Sequence, residues 1–165
     1  MSHFKKIKDP LNKFKKGYQR NNPNLLKHLE SKLINGEPFH YLFLGSVGCG
    51  KTYLARHIMY YSSTRWEYIK VYKFYQEYLG IIGSNAYDKF DALRSHSVPM
   101  QSESLLIDDL GNEKPSTEAA HDYLGGLIER RYDYLERKAD ISRTIITTNL
   151  VREDIEKTYG SRVLD

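Results

Sequence analysis

Several residues of this 165-residue chain have the types and spacing that handle phosphate. The most specific run is Gly45-Ser46-Val47-Gly48-Cys49-Gly50-Lys51-Thr52: a glycine, four residues, then Gly-Lys-Thr. A triphosphate carries several negative charges and must be gripped without steric conflict. Glycines at 45, 48 and 50 let the backbone turn tightly and come close to it. The N–H groups of the loop, and of the first helical turn through Tyr53, then point at phosphate oxygens. Lys51 supplies a point charge for the β- and γ-phosphates. Thr52 supplies a hydroxyl for Mg²⁺, an ion that keeps several waters and binds through few protein ligands. A glycine-rich turn matched by chance is the plainer alternative. The flanking residues oppose it, because Tyr41-Leu42-Phe43-Leu44 is an apolar strand-like run and residues 53–59 have the pattern of a helix.

Leu105-Leu106-Ile107-Asp108-Asp109 is an apolar strand ending in two acids. A carboxylate at such a tip reaches Mg²⁺ directly or through water, and its neighbour can orient or deprotonate an attacking water. Asp108 is therefore assigned to the metal and Asp109 to the water. Thr147-Thr148-Asn149 closes a later strand, and ligands of parallel sheets gather at the carboxyl ends of strands. Asn149 is placed to face a γ-phosphate; capping the following helix is its alternative role. Arg162 follows Gly160-Ser161, and such an arginine, offered by a neighbouring subunit, stabilises charge on a transferring phosphoryl group. A plain surface arginine is the competing reading. Arg130 and Arg131 are weaker candidates and are expected on the solvated face of a long helix.

The elements that must hold these residues alternate. Asn22 and Pro23 open a helix through Ile34, and Asn35-Gly36-Glu37-Pro38 ends it. After the phosphate-loop helix come a strand at 66–71, a helix at 72–79, a break at 80–84, a short helix at 87–94 and a loop at 95–102. The acidic strand is followed by a long helix over 117–138, with Ala120, Tyr123, Leu124, Leu127, Ile128 and Tyr132 on its apolar stripe. A buried strand at 144–148 and a short helix at 153–159 complete the run. Strands alternating with helices predict an α/β fold, a central parallel sheet with helices on both faces.

The net charge of +4 is unevenly placed. Residues 1–20 carry a surplus of six positive charges, so the remainder is slightly acidic. Residues 1–22 are thus a basic arm, and residues 23–165 a single folded body. With Phe4, Phe14 and Tyr18 interleaved, the arm suits phosphates and stacked bases of single-stranded DNA; a solvated tail is the alternative. No apolar run reaches membrane-spanning length, the basic N-terminus lacks the apolar core of a secretory signal, and the lone Cys49 excludes an internal disulfide. A cytoplasmic protein with no membrane association is expected.

The ordered set GSVGCGKT, LLIDDLG, LIERRY, TIITTNL and YGSRVLD, spread over residues 23–165, resembles the AAA+ ATPases of the DnaC/DnaI helicase-loader and IstB transposition-helper group. The resemblance implies a three-layer P-loop NTPase core. It implies ATP and Mg²⁺ as cofactors on Lys51, Thr52 and Asp108, water activation by Asp109, γ-phosphate sensing by Asn149, and Arg162 as a trans-acting finger. It further implies ATP-dependent homo-oligomers on single-stranded DNA, with a replicative helicase or a transposase as protein partner. Most AAA+ proteins carry Glu where Asp109 stands, although this group often has Asp. No C-terminal lid is expected within the chain. A non-hydrolysing, ATP-dependent interaction module is the alternative outside the enzymes. A GTPase would need Asn-Lys-x-Asp where Thr147-Thr148-Asn149-Leu150 stands, a nucleotide kinase a lid or arginine cluster, and an ABC-type ATPase a Leu-Ser-Gly-Gly-Gln signature; none is in the sequence.

Overall fold

In a computed structural model, residues 23–164 are described except 63, 85–88, 115–116 and 140; the basic arm lies outside the described residues. The apolar runs and the alternating stretch after Trp66 form four strands: β1 (Phe39–Leu44), β2 (Glu67–Lys70), β3 (Ser104–Leu110) and β4 (Arg143–Thr148). They make one sheet in the order β1-β4-β3-β2, and every pairing is parallel. Parallel neighbours need crossover connections, which helices supply. These are α1 (Pro23–Ile34), α2 (Lys51–Tyr61), α3 (Val71–Gly83), α4 (Lys89–Ser97), α5 (Glu118–Arg137) and α6 (Arg152–Tyr159).

Alternation along the central strands sorts the layers, because successive side chains of a strand point to opposite faces. Leu106 and Ile145 face one side and pack with Leu29 of α1 and Leu54, Ala55 and Ile58 of α2. Leu105, Ile107 and Ile146 face the other and pack with Phe74 of α3, Leu124, Leu127 and Ile128 of α5, and Ile155 and Tyr159 of α6. Both sheet faces are covered, so β3 and β4 are apolar on both sides, as their sequences require. Thr117 caps α5, its side chain accepting from the Ala120 N–H at 3.2 Å.

Besides the loop expected at 95–102, where α4 runs on to Ser97 and a 3₁₀ turn covers Val98–Gln101, two expectations about this scaffold are corrected. The break expected at residues 80–84 is not one: α3 continues through Gly80 to Gly83, and Ser84 closes it with both its N–H and hydroxyl on the Ile81 carbonyl. Tertiary packing of Phe74 and Tyr75 carries the helix over a glycine of poor propensity. The second correction is Arg131, expected in solvent but only 2% exposed. Its guanidinium turns back under the sheet. Nε donates to Thr144 Oγ1 at 3.0 Å, Nη1 to the carbonyls of Met100 (3.1 Å) and Ser102, and Nη2 to those of Arg143 (2.9 Å) and Glu103 (3.5 Å). Arg143 does likewise one strand along, donating to the Gly36 and Glu37 carbonyls ahead of β1. Two arginines therefore fasten the starting ends of β1, β3 and β4. Burial pulls the Arg131 pKa down to about 10, which leaves it charged at neutral pH.

Candidate nucleotide site

With four parallel strands, all strand C-termini lie along one rim, and the candidate residues collect there. Leu44 hands the chain from β1 to the glycine loop, and Gly50, at φ 96°, is the residue before α2. Gly45 has φ 148°, and a Cβ there would lie 2.9 Å from Cys49 Sγ, so only glycine fits. Ser46, Val47 (83%), Gly48 and Cys49 are exposed, as is Tyr53 on α2. The first N–H groups of α2, which have no carbonyl partner within the helix, open onto this loop.

Lys51 curls back into the loop. Its Nζ donates to the carbonyls of Gly45 (2.6 Å) and Ser46 (2.9 Å), and to Asn149 Oδ1 at 2.8 Å. One ammonium thus ties the loop after β1 to the residue after β4. Two sequence candidates 98 positions apart meet at one point.

The neighbouring hydroxyl reaches the acidic strand. Thr52 Oγ1 donates to Asp108 Oδ1 at 2.7 Å. Asp108 is 1% exposed and accepts two more hydroxyls, from Thr147 on Oδ1 (2.7 Å) and from Tyr68 on Oδ2 (2.8 Å). Burial pushes the Tyr68 phenol up, so it stays protonated and donates. Arg56 of α2 backs this contact, donating to the Tyr68 hydroxyl at 3.0 Å with its guanidinium 5.2 Å from the ring centroid. Sequence reading missed Tyr68, Thr147 and Arg56. The alternation of Trp66 to Val71 places Tyr68 on a strand, but no spacing rule links it to an acid 40 residues on.

Asp109 departs from the strand. Its φ of 62° is the one left-handed value at a non-glycine position among the described residues, and the β3–β4 register slips between Ile107 and Leu110. The Thr147 hydroxyl fills the gap in the ladder: it accepts the Asp109 N–H at 3.0 Å while donating to Asp108. The bulge turns the Asp109 side chain away from the metal-type carboxylate and towards Lys70 of β2, whose Nζ lies 3.5 Å from Asp109 Oδ2. Gly111 follows at φ 90°, with Leu150 lying directly over it; a Cβ there would meet Leu150 Cδ1 at 2.7 Å. Thr148 completes the rim, donating to the Leu110 carbonyl and accepting from the Leu150 N–H.

The donor set fits Mg²⁺ with a polyphosphate. A hydroxyl and a buried carboxylate lie in hydrogen-bond contact beneath a glycine loop carrying a lysine, and hard oxygen ligands are what this ion takes. Among the described residues there is no group of three or more His, Cys, Asp or Glu side chains fit to hold a metal ion alone. Arg162 belongs to a short 3₁₀ turn, Ser161–Val163, after α6; its side chain is outside the described residues. Among the described residues no helix is long and apolar enough to cross a membrane.

The fold agrees with a solved helicase loader. The structure titled "Crystal structure of the DnaC helicase loader" matches with a TM-score of 0.61 over 86% of this chain and 82% of that one, at 24% identity. At that identity the likeness concerns the fold. No curated protein matches the sequence. Residues 41–163, from β1 to the turn after α6, match the family model described as "ATPase family associated with various cellular activities (AAA)". With its glycine loop, acidic strand and parallel sheet inside a match that spans most of its length, the chain belongs to the AAA family.

Proposed function

We propose that the chain binds Mg-ATP on Gly45 to Tyr53, with Thr52 and Asp108 holding the metal, and hydrolyses it to ADP and phosphate. We further propose that it works in DNA replication as a helicase-loader type of protein, assembling as an ATP-dependent oligomer on single-stranded DNA or on a replicative helicase. The observation carrying the first reading is the Lys51–Asn149 contact, which brings the phosphate-loop cation and the strand-end amide together beside Asp108. The fold match with a helicase loader supports the second.

The residues have separable tasks in this mechanism. Bound Mg²⁺ supplies charge compensation at the phosphate oxygens. Lys51 exchanges its loop carbonyls for phosphate oxygen, and Asn149, freed from Lys51, orients water. Asp108 is held by three hydroxyls and keeps its carboxylate fixed beside Thr52. Asp109, turned aside by the bulge, takes the proton of the attacking water. Lys70 restrains the Asp109 carboxylate until then. Arg162 serves the nucleotide of a neighbouring subunit. Specific activity should therefore rise with protein concentration, and Arg162→Ala should flatten that rise.

Replacing the acids tests the division of labour. Asp109→Asn should hold Mg-ATP within about twofold of the parent and slow phosphate release by about 10²–10⁴. Asp108→Asn should also weaken binding in a Mg²⁺ titration, because a metal ligand is lost. Equal turnover in both variants and the parent would remove both roles.

The nucleic-acid partner is tested through the arm. Deleting residues 1–20 should shrink the log–log salt slope of single-stranded DNA binding by up to roughly four units, the share of six phosphate contacts. Mg-ATP affinity should stay constant. An unchanged slope returns the arm to a solvated tail. Phosphate release with and without single-stranded DNA separates an ATPase from a non-hydrolysing module. Pull-downs on a replicative helicase and on a transposase, each with and without ATP, separate the loader from the transposition helper.

A further inference from the structure

A buried carboxylate outside the phosphate site joins three elements. Glu113 follows the bulged end of β3 by only a few residues, and its side chain is 1% exposed. Its Oε1 accepts the hydroxyl of Tyr159, the last residue of α6, and lies 3.3 Å from His121 Nε2 of α5. Its Oε2 has no hydrogen-bond partner among the described residues. A buried carboxylate with one oxygen unmatched by protein is costly.

The surroundings show what this carboxylate controls. Residues 109–112 form one tight turn, closed by the Asn112 N–H on the Asp109 carbonyl at 3.1 Å, and Glu113 follows it directly. Tyr159 is 6% exposed, and its ring meets His121 edge-on at 5.8 Å. Burial, and then the Glu113 carboxylate, push the Tyr159 phenol far above its ordinary range, so it remains a donor. The Gly111 backbone N–H, which faces the same oxygen, opposes only part of that shift. Directly after Tyr159 the chain turns at Gly160, with φ 88°, into Ser161–Val163. The hydroxyl of Tyr159 therefore sits between the turn that carries Asp109 and the segment that carries Arg162.

We propose that Glu113 and Tyr159 are positioning residues that lock the Asp109 turn to the end of α6, so that the turn and residues 160–164 shift as one body. This inference rests on the hydrolytic reading for its kinetic consequence, but not for its structural one. Removing the phenol hydroxyl unlocks both segments together. Asp109 then loses its set against the water, while the phosphate loop, on the other side of β4, keeps its grip on nucleotide.

The test uses the full chain with Tyr159→Phe, Glu113→Ala and Glu113→Gln. Tyr159→Phe keeps the ring and should lower kcat by about ten- to a hundredfold through misplacement alone, with Mg-ATP Kd within about twofold. Glu113→Ala should behave alike. Glu113→Gln keeps an acceptor for Tyr159 and should stay within about threefold of the parent. Tyr123→Phe removes a hydroxyl bonded to His96 elsewhere on α5 and should leave kcat at the parent level, which separates positioning from general destabilisation. Hydrogen exchange gives an independent readout: in Tyr159→Phe the amides of Asn112, Gly160 and Leu164 should exchange faster together. Faster exchange in only one of the two segments, unchanged kcat, or a glutamine variant as impaired as alanine would overturn the proposal. A parent that releases no phosphate would defeat the hydrolytic reading instead, and the exchange result would then decide this one.

Discussion

Lys51→Ala should lose Mg-ATP binding by about 2–5 kcal/mol, roughly thirty- to several-thousand-fold in Kd, because no other side chain of the glycine loop carries a positive charge to the phosphate. The fold should survive. Lys51 is half-exposed, and its bonds run to loop carbonyls and Asn149 rather than into either core. A further effect follows from the geometry. Without the ammonium, Asn149 loses a contact that ties β4 to the loop, so the loop should become mobile in the absence of nucleotide as well. A titration with fluorescent ATP analogue measures the first effect, and amide exchange over residues 45–50 the second. Unchanged affinity would refute the assignment of the phosphate site.

Arg131→Met should cost about 4 kcal/mol or more, among the larger single-site effects in proteins. For a chain of this size that corresponds to a fall of about 8–16 °C in melting temperature. Methionine fills much of the volume, so the loss comes from carbonyls. Those of Met100, Ser102, Glu103 and Arg143 all accept from this one guanidinium, and all face inward. Each buried acceptor left unmatched costs about 1–3 kcal/mol unless water reaches it. Arg131→Lys should recover little, because an ammonium cannot supply a planar fork of donors. Thermal melting of the three proteins is the measurement, and a shift under about 3 °C would mean that water replaces the side chain. Nucleotide affinity per folded molecule should be unaffected, since the clasp lies at the opposite ends of the strands from Lys51.

These two residues also mark what could be read in the chain beforehand. Three strands were legible as apolar runs and β2 by its alternation, and the phosphate loop because its chemistry is local, carried by eight consecutive residues. Arg131 was misread because helical periodicity assigns a charged residue to solvent, and only the carbonyls at the starts of β3 and β4 make its burial tolerable. Gly80 was misread for a related reason: propensity is a local property, and the packing of α3 overrode it. Thr147 was noticed only as part of the strand leading to Asn149. Its partnership with both acids depends on the register slip in β3, which no residue type announces. Glu113 gave a still weaker signal, a charged residue in a polar stretch after a strand, ordinarily the mark of a surface loop.

The left-handed backbone at Asp109 bears on how this site can change over generations. Short polar side chains tolerate that conformation because they bond locally to the backbone; longer ones do so less readily. Aspartate thus has a backbone reason to stand at position 109. Converting it to glutamate is one codon step, but the lengthened side chain would inherit a turn shaped for the shorter one, with Thr147 and Lys70 set for the present carboxylate. A lineage moving between the two acids would have to relax the bulge first, so the neutral path runs through Thr147 or Gly111 before it reaches position 109. Position 109 is therefore constrained by its neighbours, and the order of substitutions there matters as much as their identity.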